Sequence, residues 1–222
     1  MKHSWSVRRG INVLMTLALF FLMGYLLWGE TAHERVGIGM GVLFFLHVLL
    51  NRRGMRALAR GPHSLLRVVQ LAVDLLAGVA MLALLASGLI LSGFGFAVSG
   101  AERVIGGAQT LHLAASHWLY VLLSLHLGLH PQLFARAARH LSGSITGRLV
   151  RAVCVLFALY GFVALYERDF LEAMAFQMHF LFFNFSEPAL WYYIDLLAIM
   201  ASVCLIGYGL MGLTRRLRHG RD

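Results

Sequence analysis

A chain of 222 residues that is 59% hydrophobic and only 13% charged, with mean hydropathy +0.75, cannot offer water the surface of a soluble domain, which carries about 25% charged residues. The net charge of +9 raises nucleic acid as a partner, but the placement of that charge along the chain argues against it. Cys154 and Cys204 fall inside apolar runs with no CxxC spacing, which argues against c-type haem attachment and thiolate-held clusters.

Six apolar runs approach or reach the length of a membrane span: 11–28, 31–50, 68–91, 110–130, 149–166 and 191–213. No small-residue cleavage site follows the first run, so it reads as a retained span. Of the 19 Lys and Arg residues, all but Arg35, Arg103 and Arg168 fall in the N-terminus, the second and fourth connections and the C-terminus. Those segments lie on one side of the membrane. The other side carries Glu30, Glu34, Glu102, Glu167, Asp169, Glu172 and Glu187. This asymmetry predicts that both termini are cytoplasmic. The basic surplus is then an orientation signal and a contact for anionic lipid, with no nucleic-acid partner.

The first four runs, residues 1–131, form a unit with short connections, closed by Pro131. Residues 132–148, with Ser142, Gly143, Ser144 and Gly147, read as a cytoplasmic linker. Residues 149–222 read as an appended transmembrane hairpin. Its outer connection, 167–190, crowds Phe170, Phe176, Phe180, Phe182, Phe183 and Phe185 together with Met174, Met178 and His179. Two readings stand for it: a short interfacial helix, or a docking surface or lid over a lipid-soluble substrate. The expected fold class is an all-α integral membrane protein of six helices, a four-helix bundle plus the hairpin.

Histidines carry the chemistry. His33 and His47 lie in the second run, His112 and His126 in the fourth, each pair fourteen positions apart. At 100° per residue that spacing is about 40° short of whole turns, so each pair shares a helix face, with members roughly 21 Å apart along the axis. The two helices cross the membrane in the same direction. His33 and His112 therefore share an outer level, and His47 and His126 an inner one. Imidazoles in hydrocarbon are costly and usually functional. Four of them in two levels are what two bis-histidine haems stacked across a bilayer require. Gly37, Gly39 and Gly41 lie between the two histidines of the second run, either clearing room for a porphyrin edge or allowing close helix packing. The competing readings are a divalent-metal transporter using the same imidazoles and a membrane anchor subunit.

His130 lies on the same face as His112 and is the alternative inner ligand. His117 lies about 140° away and reads as a hydrogen-bond partner for a propionate or another helix. Asp74, near the depth of His47 and His126, reads either as orienting a ligand imidazole or as accepting a proton from a quinol. Asp195, below Trp191, Tyr192 and Tyr193, reads as reaching the headgroups from an aromatic belt. Arg52, Arg53 and Arg103 stand where haem propionates would reach the two surfaces.

The pattern His33-Glu34, Gly37, His47 and Asn51, followed by His112, His117-Trp118 and His126-Leu127-Gly128-Leu129-His130, resembles the four-helix dihaem b-type membrane cytochromes. It is most similar to the small flavinylation-associated cytochromes, within a group that includes the cytochrome b subunits of formate dehydrogenases and nickel–iron hydrogenases. The likeness covers about residues 11–131. It implies two haem b groups on His33, His47, His112 and His126, and a bacterial plasma-membrane location. It also implies electron transfer between quinone or quinol and a flavin- or iron–sulfur-containing extracytoplasmic subunit. The hairpin departs from the minimal pattern and inherits no role. No flavin attachment motif stands in the chain, so any flavin belongs to a partner.

Overall fold

The computed structural model describes residues 2–60, 64–92, 101–130, 144–180 and 184–219. His63, Pro131, most of the linker, Phe182 and Phe183 lie outside them, as does the side chain of Arg103. The described residues form α-helices joined by turns: α1 (Lys2–Met23), α2 (Tyr25–Trp28), α3 (Glu30–Arg60), α4 (Leu65–Leu91), α5 (Ala101–Leu129), α6 (Ile145–Glu167), α7 (Phe170–Met174) and α8 (Ala189–His219). Four of them, at Glu30–Ala57, Leu65–Leu91, Ile145–Glu167 and Ala189–Thr214, are long and apolar enough to cross a membrane. An all-helical fold is what an apolar solvent demands, because a helix satisfies its own backbone. Polar side chains open two of the long helices: Ser64 accepts from the Arg67 amide, and Ser144 from the Gly147 amide at 2.9 Å.

Helix α5 is the centre. It packs against α4 on one side and α8 on another, while α8 in turn carries α6. Small residues allow the closest approaches. A Cβ on Gly128 would stand 2.9 Å from the Cys204 Cα, and one on Gly207 would stand 3.0 Å from the Gly128 Cα. The glycine inside the HLGLH motif thus belongs to helix packing. Ser202 donates to the carbonyls of Ala158 and Ala198, and Tyr120 donates to the Leu196 carbonyl at 2.6 Å. Such bonds average about 0.6 kcal/mol inside membranes, so close van der Waals contact carries most of this interface. The C-terminal hairpin is therefore built into the bundle through α5.

The pair α1–α3 is attached more lightly. The helices pack on each other, and α3 also touches α4. The first apolar run does not continue as one helix: it breaks at Gly24, and Gly29, at φ 79°, turns the chain into α3. The break frees the Met23 carbonyl, which accepts from the Tyr192 hydroxyl at 2.6 Å. Trp28 Nε1 donates to the Tyr193 hydroxyl at 2.6 Å, and that hydroxyl occupies the space a Cβ on Gly24 would need. Two tyrosines of α8 thus clamp the α1–α3 turn.

The outer connection folds onto α5 as well. Phe170, 2% exposed, sits against the rings of His117 and Tyr120 at 4.6 and 5.7 Å. Trp118 Nε1 donates to the Met174 carbonyl at 3.0 Å. Asp169 and Phe176, both at positive φ, bracket this single helical turn. Holding a phenylalanine at φ 60° costs on the order of 1–3 kcal/mol, which the buried Phe170 and the bond from Trp118 offset. The segment contains a single-turn helix, α7, held against α5, while Phe176, Phe180 and Phe185 remain exposed.

Candidate functional site: two levels of paired histidines

Helix α3 carries His33 and His47, and α5 carries His112 and His126. The helices run parallel and bring His33 and His112 together. At the first level the rings of His33 and His112 have centroids 6.0 Å apart, with planes at 63°. At the second level His47 lies within electrostatic reach of both His126 and Asp74.

Each ring but one is held at Nδ1. His112 Nδ1 lies 3.0 Å from Ser87 Oγ, whose own proton goes to the Ala83 carbonyl at 2.7 Å. The hydroxyl therefore accepts, the imidazole donates, and His112 keeps its proton on Nδ1. Gly88, beside Ser87, lies against the ring, where a Cβ would make ordinary contact with His112 Cε1 at 3.4 Å. His33 packs edge-on against Tyr25 at 5.1 Å and lies beside the Leu22 backbone. Its Nδ1 is buried with no hydrogen-bond partner among the described residues. At the second level His126 Nδ1 lies 2.6 Å from Asp74 Oδ1, and His47 Nδ1 lies 2.9 Å from Asn12 Oδ1. Asn51 supports His47 by donating to its backbone carbonyl at 2.9 Å. For His47, His112 and His126 this leaves Nε2 as the nitrogen with a free lone pair.

The remaining predicted residues are placed as follows. His130 stacks on His126 with centroids 4.4 Å apart and bonds through Nδ1 to the His126 carbonyl at 2.9 Å. His117 turns away from α3. It is 2% exposed, and its Nδ1 bonds to the Leu113 carbonyl of its own helix at 2.8 Å. A Cβ on Gly41 would press on the Leu85 side chain at 2.9 Å, so this glycine serves packing against α4. Gly37 meets only Leu22, at 3.9 Å, and Gly39 faces open space. Arg52 and Arg53 line a recess with Arg8 at the arginine-rich end of α1 and α3.

Asp195 departs from its expectation. It is 5% exposed and sits among protein groups. The Tyr160 hydroxyl donates to its Oδ1 at 2.6 Å, and Arg168 donates to its Oδ2 from Nε at 2.9 Å and Nη2 at 2.6 Å. Arg168 also grips Glu187 with both terminal nitrogens and lies over the Tyr192 ring. Hydrogen bonding to Glu187 raises the Arg168 pKa, outweighing the opposing effect of burial, so the guanidinium stays charged. The chain folds back just after α6, and this brings Arg168 to Asp195.

Ser87 and Asn12 were not foreseen as histidine partners. The signal available was a lone polar residue in an apolar run. Among the described residues no group of three or more His, Cys, Asp or Glu side chains gathers to hold a metal ion. Each level offers two imidazoles. No family model matches the chain, and no curated protein or solved structure matches it.

Proposed function

We propose that the chain is a dihaem b-type cytochrome of the bacterial plasma membrane, with α1, α3, α4, α5, α6 and α8 as six spans and both termini cytoplasmic. It would carry electrons between the quinone pool and an extracytoplasmic redox subunit. The observation that carries this reading is the meeting of His33 and His112 across two helices, with ring centroids 6.0 Å apart. A metal bonded to one nitrogen of each ring at ~2 Å, each such nitrogen ~1.1 Å from its centroid, spaces centroids by about 6 Å. Two protein ligands per level is also the number that a haem leaves open, whereas a divalent ion held by protein alone takes about four.

The chain's own groups fit. Ser87 and Asp74 hold His112 and His126 in the tautomer whose Nε2 can bind iron, as Asn12 holds His47. Bound haem supplies reversible one-electron exchange. The protein orients the four imidazoles, excludes water from them with apolar helices, and separates the levels along α3 and α5 by roughly 21 Å, at about 1.5 Å per residue.

The test is haem extraction from the purified protein beside a reduced-minus-oxidised spectrum. Two haem b per chain with a low-spin bis-imidazole spectrum is the expected result. A colourless protein sinks the reading.

A further inference from the structure

A shallow recess of about 460 Å³ opens where the N-terminal part of α1 meets the C-terminal half of α3. Arg8, Leu49, Leu50, Arg52 and Arg53 line it. Among the described residues, three arginines line it and no carboxylate does. The ion pairs among the described residues lie elsewhere, at Asp74 and around Arg168. Arg8 Nε is buried and has no hydrogen-bond partner among the described residues. An unsatisfied buried donor is costly, more so when charged, so this one calls for an acceptor.

An apolar track leads away from the same recess. Val42, Phe45, Leu46 and Leu49 recur at helical spacing on α3, each between 42% and 57% exposed. Leu49 belongs to both the track and the recess. A ligand filling the two is amphiphilic, with an anionic head and a hydrocarbon tail. Guanidiniums favour a phosphate, which accepts paired hydrogen bonds from their planar fork.

We propose that Arg8, Arg52 and Arg53 form a binding site for the phosphate of an anionic membrane lipid, whose acyl chain lies along α3. The proposal rests on the membrane placement of α1 and α3 and is independent of haem.

The test uses the full-length protein in nanodiscs of phosphatidylcholine, with and without phosphatidylglycerol. Retained lipid is read by native mass spectrometry and unfolding by tryptophan fluorescence. Phosphatidylglycerol is expected to remain bound and to raise Tm. Arg8→Gln and Arg52→Gln should each lower its retention about fivefold, equivalent to ~1 kcal/mol per guanidinium near a surface. Arg148→Gln, an exposed arginine on α6, should change nothing. Should Arg8→Gln not fold, Arg8→Lys keeps the charge and removes the fork, and retention should still fall. Equal retention in all variants overturns the proposal. So does full stabilisation by inorganic phosphate without phosphatidylglycerol, which would name free phosphate as the ligand. Loss of haem with lipid retention intact would assign the arginines to a propionate instead. A protein without haem that still holds phosphatidylglycerol through these arginines would refute only the cytochrome reading.

Discussion

The first histidine level rests on neutral groups, and the second rests on a charge. His112 donates to a serine hydroxyl at 3.0 Å, and His33 Nδ1 has no partner among the described residues. His126 faces a carboxylate at 2.6 Å, and His47 an amide oxygen at 2.9 Å. An anionic acceptor makes an imidazole more electron-rich, and so favours the more positive state of any metal that the ring binds. Under the cytochrome reading, the second level therefore has the lower midpoint potential. Electrons then fall from the second level to the first, toward the side where His179 and the exposed phenylalanines stand. A redox titration should resolve two components of equal amplitude.

The largest expected effect breaks the comparison outright. His112→Ala should remove the first-level haem and leave the second, halving the reduced-minus-oxidised amplitude. His126→Ala should do the converse, so the component that survives identifies each level. Loss of neither haem in either variant would mean that these histidines are not ligands.

Next in size is Asp74→Asn, which keeps the shape and removes the charge. Loss of such a partner typically lowers metal affinity 10- to 100-fold. Haem content at the second level should fall on dilution. The midpoint of the lower component should rise by roughly 60 mV, the size of a tenfold change in a one-electron couple. The upper component should stay fixed. Movement of both components together would show that the two levels are not separately held.

This contrast was only half legible in the sequence. The spacing of His33, His47, His112 and His126 defines faces and depths along single helices, because helical periodicity is a property of one element. Asp74 was within reach of the same reasoning, since its depth on α4 matches that of His126, and the structure joins the two. Ser87 and Asn12 were not, because which neighbour meets a given face depends on packing between helices. The same limit applies to Gly128. It looked like part of a ligand motif, yet it lies in the seam with Cys204 and Gly207. Asp195 reads in sequence as a carboxylate just below a headgroup belt. Its burial follows from the turn after α6, where Arg168 folds back between Asp195 and Glu187.

Ser87→Ala is expected to act less than Asp74→Asn, because it removes a neutral acceptor. A neutral hydrogen bond contributes about 0.5–1.5 kcal/mol. First-level haem should bind several-fold more weakly, with a small upward shift of its midpoint. A loss as large as that in Asp74→Asn would show that the carboxylate charge is not what distinguishes the levels.

His130→Ala is the finest test. Its ring stacks on His126, and its Nδ1 is engaged by the His126 backbone carbonyl. His126, in contrast, is turned by Asp74 so that Nε2 is free. If His126 is the second-level ligand, His130→Ala should retain both haems and shift only the lower component, by less than Asp74→Asn does. Haem loss in His130→Ala with full retention in His126→Ala would reverse the assignment. The carboxylate would then be holding a neighbour of the ligand, and the predicted potential difference between the levels would shrink accordingly.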